Sequence, residues 1–299
     1  MLCRLRSPPV KCCYLIDLWL VTLVNSKSTL FPYQLRLIVM QELIASFASR
    51  RGLFVTAVFV ITWAFLLFYP INFAAQSMQG AEGSSLILAA LDLMGLESLK
   101  NWLMPEFAVY WLVALYLFPA FSLFMAADQM ISERQRGGLR FLTLRCSRAD
   151  IFFGRFLGHM LIQTCLLVAT LAITYLLLLV NNVQYWLEGL QILPLLLLNL
   201  VCVTSPFVAL MSLLSVTMSS VRMASLVSVI VLVMGGFLIN YAASYLPFLS
   251  VLNYWVPGAQ VSQMVMLTPS TALLTSWVPV MQTLSFLLLG YGLFKRQAI

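Results

Sequence analysis

Charge is the scarcest property of this sequence. Only 9% of its 299 residues are Asp, Glu, Lys or Arg, against 62% that are hydrophobic, and the mean hydropathy is +0.97. Soluble domains run at about 45–50% apolar and about 25% charged residues. The excess cannot be hidden in one core, so the solvent for most of this chain is lipid. Histidine is nearly missing, with His159 the single example. Cysteine is present without a pattern: Cys3, Cys12 and Cys13 crowd the N-terminus, Cys165 and Cys202 sit in apolar runs, and Cys146 lies in a basic stretch. With no Cys-x-x-Cys pair and no Cys/His ligand spacing, a disulfide framework and a zinc or iron–sulfur centre are excluded. Nothing fits Gly-x-x-x-x-Gly-Lys-Ser/Thr, so the usual cradle for nucleotide phosphates is missing too. No apolar run carries a carboxylate pair or a Ser/His/Asp set. The expectation is therefore a chain with no catalytic residue, no metal and no cofactor.

What is there is six long apolar runs. A membrane helix needs about 20 such residues, because the hydrocarbon core is about 30 Å thick and a helix rises 1.5 Å per residue. The runs are Leu53–Phe73, Phe107–Ala127, Phe156–Val180, Leu190–Val216, Met223–Leu246 and Leu273–Phe294, and none contains a charged residue. Helix is the open-ended element that satisfies its own backbone in lipid. The fold class expected is an all-α, polytopic membrane protein with six transmembrane helices.

The charges that exist are sorted. Sixteen of the 17 basic residues fall before the first run, between the second and third, between the fourth and fifth, or after the sixth; Lys100 is the exception. The opposite loops hold five acids: Glu82, Asp92, Glu97, Glu106 and Glu188. A net charge of +7 would suggest nucleic acid in a soluble protein. Here it orients spans, and both termini are expected in the cytoplasm. No nucleic-acid partner is implied; the bilayer is the medium.

Ahead of the first span, Tyr14–Leu23 is too short to cross and carries Asp17. Residues 1–39 read as an upstream extension, either an over-called start or a variable cytoplasmic tail, and residues 40–299 as one six-span domain. From Gln41 to Arg51, Leu43, Ile44, Phe47 and Ala48 share a helical face, with Arg50 and Arg51 following. That pattern suits an interfacial helix on the inner leaflet.

The longest basic loop, residues 127–155, interleaves Leu139, Phe141, Leu142 and Leu144 with arginines behind a glycine pair, which predicts a short amphipathic helix across the membrane face. On charge alone the loop need only set topology. The order of its residues resembles the ABC-2 type permease family, the membrane subunits of ABC exporters. That family carries an acidic residue with arginine, a glycine before a Leu-rich turn, a Ser-Arg element, and a Gly-Lys entering the third span. The matching residues are Glu133-Arg134, Gly137-Gly138-Leu139, Phe141-Leu142, Ser147-Arg148 and Gly154-Arg155. Gly138 stands where the family usually has Thr, Arg145-Cys146 where a small residue and Pro are common, and Arg155 replaces Lys. After the fifth span, residues 246–260 are similar to an outer segment of the family that dips back toward the bilayer; Pro257 follows Asn253 by four residues, and Tyr254 and Trp255 suit the interface.

The resemblance covers about residues 40–299. It implies a transmembrane permease subunit of an ATP-driven exporter in the bacterial inner membrane. It also implies a separate ABC ATPase in two copies, and pairing with a second copy or a similar permease. Glu133, Arg134, Gly137, Gly138, Leu139, Phe141, Leu142, Ser147 and Arg148 are then the expected coupling residues, on a helix between spans two and three. An ATP-independent carrier or channel, or a membrane scaffold, is the competing reading; spans without acids speak against an ion-coupled carrier. Gln163, Asn199, Asn240 and Gln282 are the polar residues inside spans, expected to face other helices or a cavity. Pro119, Pro194 and Pro206 are expected to kink their helices, with Thr204 and Ser205 covering freed carbonyls. His159 reads as an interface histidine.

Overall fold

The computed structural model describes residues 36–44, 50–71, 102, 104–144, 146–246, 251, 252 and 254–296. The side chains of Arg140, Phe141 and Asn240 lie outside that set, as do residues 1–35 of the expected extension and Phe47 and Ala48 of the expected interfacial helix. Among the described residues every regular element is helical. α1 covers residues 36–44. α2 is Arg50–Leu66 and α3 Pro105–Met125, followed by the short helices α4, Ile131–Gln135, and α5, Gly138–Thr143. α6 is Arg148–Asn181, α7 Trp186–Thr217 and α8 Val221–Tyr245; α9, Val261–Val265, and α10, Pro269–Thr275, lead into α11, Trp277–Arg296. Six of these helices, α2, α3, α6, α7, α8 and α11, are long and apolar enough to cross a membrane.

Local chemistry explains where the helices start and bend. α2 loosens into a π turn at Leu67–Ile71, where Pro70 brings no N–H to the ladder. α3 opens on Pro105, a first-turn position that needs no donor. Pro119, Pro194 and Pro206 lie inside helices that run through them unbroken. Pro206 leaves the Cys202 carbonyl without a helical donor, and the Ser205 hydroxyl donates to it at 2.8 Å. α6 begins at Arg148 rather than at the edge of the apolar run near Phe156, because Ser147 and Asp150 form a reciprocal capping box. With 34 and 32 residues, α6 and α7 are about 50 Å long against a hydrocarbon core of about 30 Å. They project well beyond the lipid tails.

α7 is the centre of the bundle, packed against α11, α6 and α3. One apolar core joins Trp63, Phe107, Trp111 and Phe118 to Leu196 and Leu200. A second, on the basic side, gathers Met130, Leu139, Phe152, Met211 and Phe294. α2 and α8 bury little and turn Phe54, Ile61 and Phe65, or Leu226, Val233 and Phe237, outward. The returning segment after α8 folds into the first core. Val261, Met264 and Val265 are buried there, and the Trp111 indole donates to the Met264 carbonyl at 3.4 Å.

Candidate functional site

The basic side of the bundle carries a polar junction built by three arginines. Spans α3, α7 and α11 all end there, and a helix C-terminus leaves carbonyls without donors. Arg134 on α4 donates to the carbonyls of Val216 and Met218 at the end of α7, and Gln135 donates to Ser219 at 2.7 Å. Arg148 donates to the carbonyls of Lys295, at 3.0 Å, and Phe294, at the end of α11. Arg155, 4% exposed, donates to the Gln129 carbonyl just past α3. Each cation also meets the negative end of a helix dipole.

Arg155 is the node. It pairs with Glu133 on α4, and its Nε lies 3.7 Å from Glu42 on α1. The other oxygen of Glu42 lies 3.8 Å from His159 Nε2. Gln129 is buried beside them and accepts from Ser212 of α7 at 2.6 Å. Burial pushes the Glu42 carboxyl up to about 7; Arg155 opposes that shift, and Glu133 and Asp128 add to it. α1 can reach this node because Gly154 and Gly158, four residues apart, leave a trough on α6. A Cβ at Gly154 would stand 3.0 Å from Ile38 Cγ2, and one at Gly158 2.8 Å from Glu42 Cβ. Ile38 and Val39 precede Met40, yet Ile38 is buried and Val39 lies against Gly158. These two belong to the packed body.

The expected coupling residues therefore divide. Gly137 sits in the left-handed region, φ 74°, between α4 and α5, a turn that favours glycine. Gly138 is the first residue of α5. Glu133, Arg134, Ser147 and Arg148 hold other parts of this chain together. Leu139 is 2% exposed and so lies in the core rather than on an outer face, and Leu142 packs against that core. Leu144, at the end of α5, is 83% exposed, and Arg136 is exposed at the turn between α4 and α5. Sequence reasoning missed Glu42, Gln129 and Ser212. The four-residue spacing shared by Gly154 and Gly158, and by Arg155 and His159, was the available signal.

The polar residues inside the spans also part company. Asn199 donates to the Pro269 carbonyl at 2.7 Å and accepts from Ser276 at 3.1 Å. Gln282 donates to the carbonyls of Tyr254, at 2.6 Å, and Val256, at 3.1 Å. Gln163 is 1% exposed, and neither atom of its amide has a partner. Among the described residues no group of His, Cys, Asp and Glu has metal-binding geometry. A cleft of about 820 Å³ opens between α3, α8 and the returning segment, walled by Tyr116, Phe124, Val233 and Gly236, with Gln260 and Gln263 at its polar end. A family model described as ABC-2 family transporter protein matches residues 36–298. No curated protein matches the chain.

Proposed function

The chain belongs to the ABC-2 transporter family, and on that premise we propose that it is the permease subunit of an ATP-driven exporter whose ATPase is a separate chain. The observation that carries this reading is the braced hairpin of α4 and α5. It leaves Leu144 exposed at the end of α5, while α4 is fastened to the end of α7 by Arg134 and to Arg155 of α6 by Glu133. A force applied at Leu144 is delivered to whole spans, because Arg134 grips the end of α7 and Glu133 pairs with Arg155 of α6, whose Arg148 in turn grips the end of α11. The basic side is then the cytoplasmic side, with both termini there, in the inner membrane of a bacterium. Two ATPases and a second permease, identical or similar, complete the transporter. The 820 Å³ cleft, open toward the sparsely buried α8, is where such a pair would enclose a substrate.

The geometry selects the test. Leu139→Asp puts a charge in the core and reports only on folding. Leu144→Asp changes an exposed residue and leaves every brace intact. Tagged chain purified from its own membranes is expected to bring an ATPase chain, detected by ATP hydrolysis. Leu144→Asp should lower that recovery at least tenfold, since one well-packed contact residue is worth about 2 kcal/mol or more. Recovery of no ATPase with the wild-type chain, or full recovery with Leu144→Asp, overturns the reading.

A further inference from the structure

We propose that a groove on the outer surface of the bundle, between α6, α7 and α11, binds one acyl chain of an anionic phospholipid whose phosphate rests on the basic end of α11. This site is independent of the transport reading above. The groove encloses about 430 Å³. Phe156, Met160 and Thr164 form one wall, Val280 and Leu284 the other, and Val201 lies at the floor. Leu284 is half exposed. The polar groups of the floor are satisfied inside the protein. The Ser205 and Thr283 hydroxyls bond each other at 2.7 Å, and Thr164 donates to the Met160 carbonyl at 2.8 Å. A polar ligand would find no free donor among them, so the surface presented is hydrocarbon.

Position and charge identify the occupant. The groove lies wholly on membrane-spanning helices, so lipid tails are the medium that meets it. From Leu284 to Lys295 is about 16 Å of helix, roughly half of the 30 Å hydrocarbon core. A tail seated in the groove therefore puts its own phosphate level with the end of α11. Lys295 and Arg296 are exposed there, and Arg148 holds that end by its bonds to the Phe294 and Lys295 carbonyls. Basic residues at headgroup level favour an anionic headgroup by about tenfold or more for two charges. The negative end of the α11 dipole would otherwise repel a phosphate; these cations reverse the local field.

The test is native mass spectrometry of the full chain in mild detergent, titrated with phosphatidylglycerol or with phosphatidylcholine of the same tails. The wild type should hold one phosphatidylglycerol about tenfold more tightly than phosphatidylcholine. Thr164→Trp fills the groove and should remove both, whereas Thr164→Ala should bind like the wild type. Lys295→Gln with Arg296→Gln should bring phosphatidylglycerol down to the phosphatidylcholine level. Leu284→Trp fills the groove from the opposite wall and decides the matter should Thr164→Trp fail to fold. Equal binding of the two lipids by the wild type overturns the proposal. So does unchanged phosphatidylglycerol binding in a folded groove-filling variant, or the loss of a chain dimer rather than of lipid.

Discussion

The two ends of the bundle meet the same need with different chemistry. On the basic side, carbonyls at the ends of α7 and α11 and just past α3 are held by Arg134, Arg148 and Arg155. Toward the other side, carbonyls of the returning segment are held by the amides of Asn199 and Gln282. A guanidinium keeps its charge wherever it sits, so it must stay near water, headgroups or counter-charges such as Glu133. An amide is neutral and can follow a backbone back among the spans. Glu106, buried at the start of α3, is met in the same neutral way, by the Asn181 amide at 3.2 Å. Among the described residues, guanidinium groups hold the backbone carbonyls at the basic end and neutral amides hold those of the returning segment.

Removing the node should show the largest effect. Arg155→Met leaves Glu133 and Glu42 facing each other without a cation, and loss of one partner of a buried pair costs about 3–5 kcal/mol. Partial exposure of Glu133 places this case at about 3 kcal/mol. Thermal unfolding in detergent is the readout, and an unchanged midpoint would mean that the basic end is held by packing alone.

A second effect follows from Glu42. Its carboxyl in the folded chain titrates near 7, above the ordinary 4.5, because burial disfavours the charge. Between those values the folded state binds a proton that the unfolded state has released. Its stability is therefore fullest below about pH 4.5 and is lost as pH rises to about 7. The Glu42→Gln chain should be flatter over that window. Identical slopes in unfolding midpoints from pH 5 to pH 8 would remove Glu42 from the account; the facing groups are Arg155 and His159 on α6, Glu133 on α4, and Asp128.

The smallest effect sharpens the neutral side. Asn199→Leu loses bonds to Pro269 and Ser276 and should cost about 1 kcal/mol, the scale of hydrogen bonds between membrane helices. Gln163→Leu removes a buried amide without partners and should be neutral or stabilising. The order of the two midpoints checks this, and Gln163→Leu falling below Asn199→Leu would contradict it.

The spans were legible because a run such as Leu190–Val216 has one physical solution in lipid, and α7 contains it. The helix starts were less so. Ser147 and Asp150 carry a cap signature four residues long, yet the apolar run begins only at Phe156, and the cap decides where α6 starts. The loop was legible as a place and not as a set of contacts. Arg134 meets carbonyls 82 and 84 residues away, and a backbone carbonyl leaves no trace in residue identity. Leu139 and Leu144 look alike in sequence, and only packing separates the 2% exposed residue from the 83% exposed one. Gln163, Asn199 and Gln282 were equally conspicuous. What distinguishes them is whether a chain segment returns to meet them.

The length of α6 and α7 has a mechanical meaning. They form a two-pronged fork closed near Asn182, where a single turn of 3-10 helix joins them, and they extend about 50 Å from that closure. Pivoting such a fork by about 10° at its closed end swings the tips sideways by about 9 Å, a displacement that follows from the 1.5 Å rise per residue alone. The two tips are tied through α4, where Arg134 holds the end of α7 and the neighbouring Glu133 pairs with Arg155 of α6. A small angle at the closed end thus corresponds to a broad sweep of the basic tips.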